Sequence, residues 1–114
     1  MRWAGQLFMP LPLQERLANG LTTVVIPIPS SHQVLVSLMV RTGSRFEPAE
    51  RAGISHFVEH VLFRGNEAYP ESRALFEAFE ETGDILNAQT GVETTEFYQV
   101  VHPGKLERFL SRLA

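Results

Sequence analysis

The 114 residues suffice for one domain with a modest core, and 44 % hydrophobic against 20 % charged residues is the balance of an ordinary globular protein. A net charge of −3 gives no electrostatic reason to expect a nucleic-acid or anionic-membrane partner. The lack of cysteine removes disulfides, thiolate zinc sites and cysteine nucleophiles together.

Residues 1–12 contain Pro10 and Pro12 and read as an irregular N-terminal arm, with Trp3 and Phe8 as its packing residues. The start lacks the long apolar run of a signal peptide, and no stretch reaches the length of a membrane span; the compartment is unknown from the sequence, with the cytoplasm as the default. Leu13 to Leu17 predicts a short strand, and the tight-turn pair Asn19-Gly20 predicts its return over Leu21 to Ile28, with Pro27 and Pro29 as an edge or a stop. Val34 to Val40 is apolar at nearly every position, the pattern of a strand covered on both faces. Thr42-Gly43-Ser44-Arg45 breaks that run, and a loop from Phe46 to Ala52 leads into the most informative stretch.

That stretch, residues 53–65, reads Gly-Ile-Ser-His-Phe-Val-Glu-His-Val-Leu-Phe-Arg-Gly. Ile54, Phe57, Val58, Val61 and Leu62 recur at helical spacing and predict a buried apolar stripe. His56, Glu59, His60 and Phe63 share the opposite side, and Gly65 is placed to stop the helix. Imidazoles at i and i+4 lie one above the other, close enough to share one metal ion. Neutral imidazole suits zinc, and a neighbouring carboxylate such as Glu59 can take a proton from a metal-activated water. The alternative is a solvated helix face on which two histidines stand one turn apart.

Tyr69-Pro70 opens a second predicted helix, with Leu75, Phe76 and Phe79 as its apolar stripe and Gly83 as its end. Glu77, Glu80 and Glu81 crowd its last turns and read as a solvated face, with an acidic wall toward a metal or a basic substrate as the second option. Ile85 to Thr90 and Thr95 to Val101 predict a hairpin. Pro103 starts a third helix with Leu106, Phe109, Leu110 and Leu113 at helical spacing, and this pattern runs to Ala114 without a stop signal, so the chain looks cut. The fold class is α+β, with helices packed on a mostly antiparallel sheet.

The His-x-x-Glu-His order over His56 to His60 is that of the inverzincins. Together with Asn19-Gly20-Leu21, Gly43-Ser44-Arg45 before Glu47-Pro48, and Leu86-Asn87-Ala88-Gln89-Thr90 before Thr95 and Tyr98, it closely resembles the pitrilysin family of zinc metallopeptidases. The resemblance runs from about Gln14 to the end of the chain. It implies Zn2+ as cofactor, His56 and His60 as metal ligands, and Glu59 as the general base. It further implies that Asn87, Ala88, Gln89 and Thr90 form an edge strand that binds an extended peptide substrate through its backbone. Read without the family, Asn87 and Thr90 are ordinary polar hairpin residues, and Thr95 and Tyr98 are structural partners in the same hairpin.

The same resemblance makes residues 13–114 the N-terminal part of a peptidase domain, truncated before the glutamate that serves as third ligand on a later helix. Glu77, Glu80, Glu81, Glu93, Glu96 and His102 follow the motif, but none matches that position. A second homologous domain or subunit is expected to close around the peptide. The competing class is a non-catalytic module of the same fold that binds peptides or a partner subunit. A structural zinc site would need four closed protein ligands, and only His32 and His102 remain to supply them.

Overall fold

A computed structural model describes residues 10–113 of the chain, so the predicted arm's Trp3 and Phe8 lie outside the described residues. The chain divides into two compact units, with the boundary after Ser31.

The first unit holds an antiparallel hairpin of β1 (Leu13–Arg16) and β2 (Thr22–Val25). Its loop is closed by the Leu17 N–H on the Leu21 carbonyl at 2.8 Å and the Gly20 N–H on the Leu17 carbonyl at 2.9 Å. The Asn19 side chain accepts from the Leu21 N–H at 3.0 Å, which mimics a backbone turn. The return strand is shorter than the predicted Leu21 to Ile28. Its pairing ends where Val25 faces Leu13, and Pro27 has no N–H to extend it.

The second unit is α+β. Strand β3 (Val34–Val40) leads through 3-10 turns at Ser44–Phe46 and Ala49–Arg51 to helix α1 (Ile54–Leu62) and helix α2 (Ser72–Glu80). Strands β4 (Asn87–Thr90) and β5 (Thr95–Val101) follow, then a 3-10 turn at Pro103–Lys105 and helix α3 (Leu106–Leu113). The sheet order is β3-β5-β4, antiparallel throughout, so β5 is central and β4 is an edge.

The core lies on one face of this sheet. Leu75 and Phe79 of α2, Leu86, Val101 of β5 and Phe109 of α3 are buried together, with Phe79 and Phe109 edge to face at 5.6 Å between centroids. Gln99 of β5, also buried, donates through Nε2 to the Phe79 carbonyl at 2.8 Å and the Asp84 carbonyl at 2.6 Å. The end of α2 is further tied to α3, because Glu81 pairs with Arg108 and, at 2.7 Å, with Arg112. Glu81 is exposed, as expected of that face, and also anchors α2 to α3.

Three other expectations are corrected. Strand β3 is not covered on both faces: Val34, Val36 and Leu38 are half-buried, whereas Leu35 and Met39 are exposed, because the helices cover only one side. Helix α2 begins at Ser72, so Pro70 precedes it and lies outside the first turn. The largest difference concerns α1. Its predicted stripe of Ile54, Phe57, Val58, Val61 and Leu62 is exposed, and the residues it buries are Ser55 and Glu59. Ile54, Val58 and Leu62 instead line an open groove of about 310 Å³, with Val40, Thr95 and Phe97 of the sheet on its other side.

Candidate metal centre

The geometry of the site begins with how α1 is started. Gly53, the N-cap, has φ +90°, a left-handed conformation that side chains rarely adopt. The Glu47 carboxylate receives the Gly53 N–H at 2.6 Å and the Ser55 N–H at 2.9 Å, satisfying donors that a helix start leaves free. These N–H groups, Ser55 first and Gly53 next, hold the Glu47 carboxyl below the ordinary carboxylate range. The helix ends at Leu62, and the chain then turns at Gly65, where φ is +132° and a Cβ would stand 2.6 Å from the Pro70 carbonyl oxygen.

One helical turn brings His56 and His60 together. Their Nε2 atoms are 3.0 Å apart and their ring centroids 4.6 Å apart. Both histidines are exposed. Glu59, between them in sequence, is buried against β4 and β5 with 8 % of its surface exposed. Its Oε2 accepts a hydrogen bond from Thr90 Oγ1 at 2.5 Å. Thr95 Oγ1 lies 3.4 Å from Thr90 Oγ1 and donates to the Thr42 carbonyl at 3.2 Å. Thr42 Oγ1 and Ser55 Oγ stand 3.5 Å apart and close the polar seam between helix and sheet.

The donor set fits a zinc ion. Zinc–nitrogen bonds of about 2.0–2.1 Å at a tetrahedral angle set two ligand nitrogens roughly 3.3–3.4 Å apart, within a few tenths of an ångström of the spacing here. A ligand atom from each of His56, Glu59 and His60 lies within 4.8 Å of the others. Among the described residues, these form the cluster of three or more potential ligands. The other carboxylates and histidine have different partners. Glu77 pairs with Arg73, Glu81 with Arg108 and Arg112, and Glu93 with Arg45. Glu96 accepts from Ser37 and Gln89, and His102 Nδ1 accepts from the Gly104 N–H. Glu80 is exposed on α2 and does not join the cluster.

The predicted peptide-binding residues are divided by the strand's alternation. Asn87 and Gln89 are exposed, while Ala88 and Thr90 are half-buried, and the Thr90 hydroxyl is committed to Glu59. Asn87 Nδ2 donates to the Ile85 carbonyl, and Gln89 Nε2 to Glu96. Two contributors were missed by sequence reading. Glu47, whose Glu47-Pro48 pair is part of the family pattern, caps the helix that carries His56 and His60. Thr42 becomes relevant only through packing across the sheet.

Residues 22–114 match the insulinase family, peptidase family M16. A protein of Rickettsia felis named an uncharacterized zinc protease is 37 % identical over 100 residues, covering 88 % of this chain and 24 % of that protein. Human insulin-degrading enzyme is 37 % identical over 98 residues, covering 86 % of this chain and 10 % of the enzyme. The crystal structure of pitrilysin superposes with a TM-score of 0.75 at 30 % identity, over 90 % of this chain and 11 % of that one. The chain thus spans a quarter or less of the length of these relatives. With the family match spanning most of its residues, the chain belongs to the insulinase (M16) family of peptidases.

Proposed function

We propose that this chain is part of a zinc-dependent endopeptidase that hydrolyses extended peptides. His56 and His60 hold the zinc, and Glu59 is the general base. The single observation that carries this reading is the convergence of two imidazole nitrogens 3.0 Å apart beside a buried, hydrogen-bonded carboxylate. Zinc, when bound, supplies Lewis-acid polarisation of the peptide carbonyl and lowers the pKa of its water to about 7. Glu59 takes the proton from the attacking water and delivers it to the departing amine. The edge strand β4, Asn87 to Thr90, offers its outer backbone groups to an extended peptide.

Residues 13–114 form the front part of a longer pitrilysin-like domain in this reading, which the small share of each relative covered by the chain supports. A third ligand and a second homologous domain or subunit then come from elsewhere. With two imidazoles in place of the three protein ligands usual for catalytic zinc, the 114-residue chain binds zinc weakly and turns over peptides slowly or not at all. Calorimetric titration of zinc into the chain should give weak one-to-one binding that His56→Ala abolishes. Equal binding by both would overturn the metal assignment. Glu59→Gln should spare zinc binding and remove whatever hydrolysis of an unfolded peptide the chain supports, and hydrolysis that persists in the variant would overturn the base assignment.

A further inference from the structure

We propose that Thr90 is a positioning residue that keeps Glu59 off the metal, so that this carboxylate serves as a base and not as a third ligand. The inference rests on the metal site proposed above. A carboxylate binds zinc as readily as an imidazole does, with bonds of about 2.0–2.2 Å. Glu59 shares a helix face with His56 and His60, and the ligand atoms of all three lie within 4.8 Å of one another. In a tetrahedral site, ligand atoms stand roughly 3.3–3.5 Å apart. A side-chain rotation that carries the Glu59 carboxylate through an ångström or so would therefore complete a three-ligand site. The base would be lost in the process.

The hydroxyl of Thr90 opposes that rotation. It comes from a different element, strand β4, and lies 2.5 Å from Glu59 Oε2. An ionised carboxylate only accepts hydrogen bonds, so Thr90 spends its one proton on Glu59. Thr90 is itself fixed by Thr95, whose Oγ1 lies 3.4 Å from it and 3.2 Å from the Thr42 carbonyl. Glu59 is nearly enclosed, with 8 % of its surface exposed, so solvent is poorly placed to replace the lost partner. One carboxylate oxygen is thereby pinned to the sheet, and Oε1 is left for the proton.

The test uses cobalt(II) as a spectroscopic substitute for zinc. The Thr90→Val variant keeps the side-chain shape and removes the hydroxyl. It should bind cobalt about tenfold more tightly than wild type, the scale on which outer partners shift metal affinity, and show the altered visible bands of an added ligand. Adding Glu59→Gln to that variant should cancel both changes, and Thr90→Ser should behave as wild type. Wild-type affinity and bands in Thr90→Val would overturn the inference, as would a gain that survives Glu59→Gln. Loss of cobalt binding in His56→Ala alongside a silent Thr90→Val would leave the metal site standing and this inference refuted. Equal cobalt binding by wild type and His56→Ala would refute both. Should Thr90→Val not fold, nuclear magnetic resonance on the wild-type chain decides the matter. The Thr90 hydroxyl proton should exchange slowly and show coupling to the Glu59 carboxyl carbon, and a freely exchanging hydroxyl proton would overturn the proposal.

Discussion

Helices α1 and α2 are both nine residues long and amphipathic, and both pack on the same face of the sheet, yet they turn opposite kinds of surface inward. Helix α2 buries Leu75 and Phe79, whereas α1 buries Ser55 and Glu59 and leaves its apolar stripe exposed. Burying one large apolar side chain contributes about 1.5–3 kcal/mol. A typical hydrogen bond contributes a net of only about 0.5–1.5 kcal/mol, but it fixes direction. The α2 side of the molecule therefore carries stability. The α1 side carries geometry, set by the cap from Glu47 and the tie from Thr90.

The most severe way to break that comparison is truncation on each side. Phe109 is 1 % exposed and stacks edge-on against Phe79, so Phe109→Ala should cost about 3–5 kcal/mol in urea unfolding. Phe57 on α1 is 63 % exposed, and Phe57→Ala should change stability by no more than about 0.5 kcal/mol. Comparable losses at the two positions would mean that α1's outward stripe is covered in solution and would end the contrast.

A smaller effect is expected where the α2 side uses polar contacts of its own. Gln99 Nε2 satisfies the Phe79 and Asp84 carbonyls from within the core. Gln99→Leu leaves the Asp84 carbonyl without its donor, while the Phe79 carbonyl keeps the Thr82 N–H and hydroxyl, and should cost about 1–3 kcal/mol, between the two phenylalanine changes. A neutral result would show that water reaches the end of α2 and would sharpen the boundary of the dry core.

These contrasts also explain what was legible in the sequence. The His56, Glu59, His60 cluster was readable because it depends on one turn of a single helix, whose geometry is local. The hairpin and the core residues Leu75, Phe79 and Phe109 were readable from periodicity, since each is the inward position of its own element. The exposed stripe of α1 and the bare side of β3 were not, because a pattern states what a face is made of and not what lies against it. The hydrogen bond from Thr90 to Glu59 joins residues 31 apart in sequence and arises only when β4 is laid beside α1. The pairing of the exposed Glu81 was not readable for the same reason, since its arginine partners come from α3, 27 and 31 residues later.

The finest test separates the two sides by pH. Glu47 on the α1 side and Glu81 on the α2 side both have carboxyls held below the ordinary 4.5, the first by the Ser55 and Gly53 N–H groups and the second chiefly by Arg112. A depressed folded-state pKa gives stability that is present above the unfolded value and is lost as pH falls through the folded one. Acidification below about 4.5 should thus loosen both sides, and a global unfolding curve would blend them. Amide exchange resolves them. In wild type, protection of the Ser55 amide should fall in that acid window, as the carboxylate that accepts it gains a proton. In Glu47→Gln the acid-dependent step at Ser55 should vanish, with weaker protection already at neutral pH, while amides of α3 beside Glu81 keep their response. Because Ser55 opens the turn that carries His56, a pH response at Ser55 unchanged by the substitution would show that the cap does not hold the start of α1. The geometry of the α1 side would then rest on the tie from β4 alone.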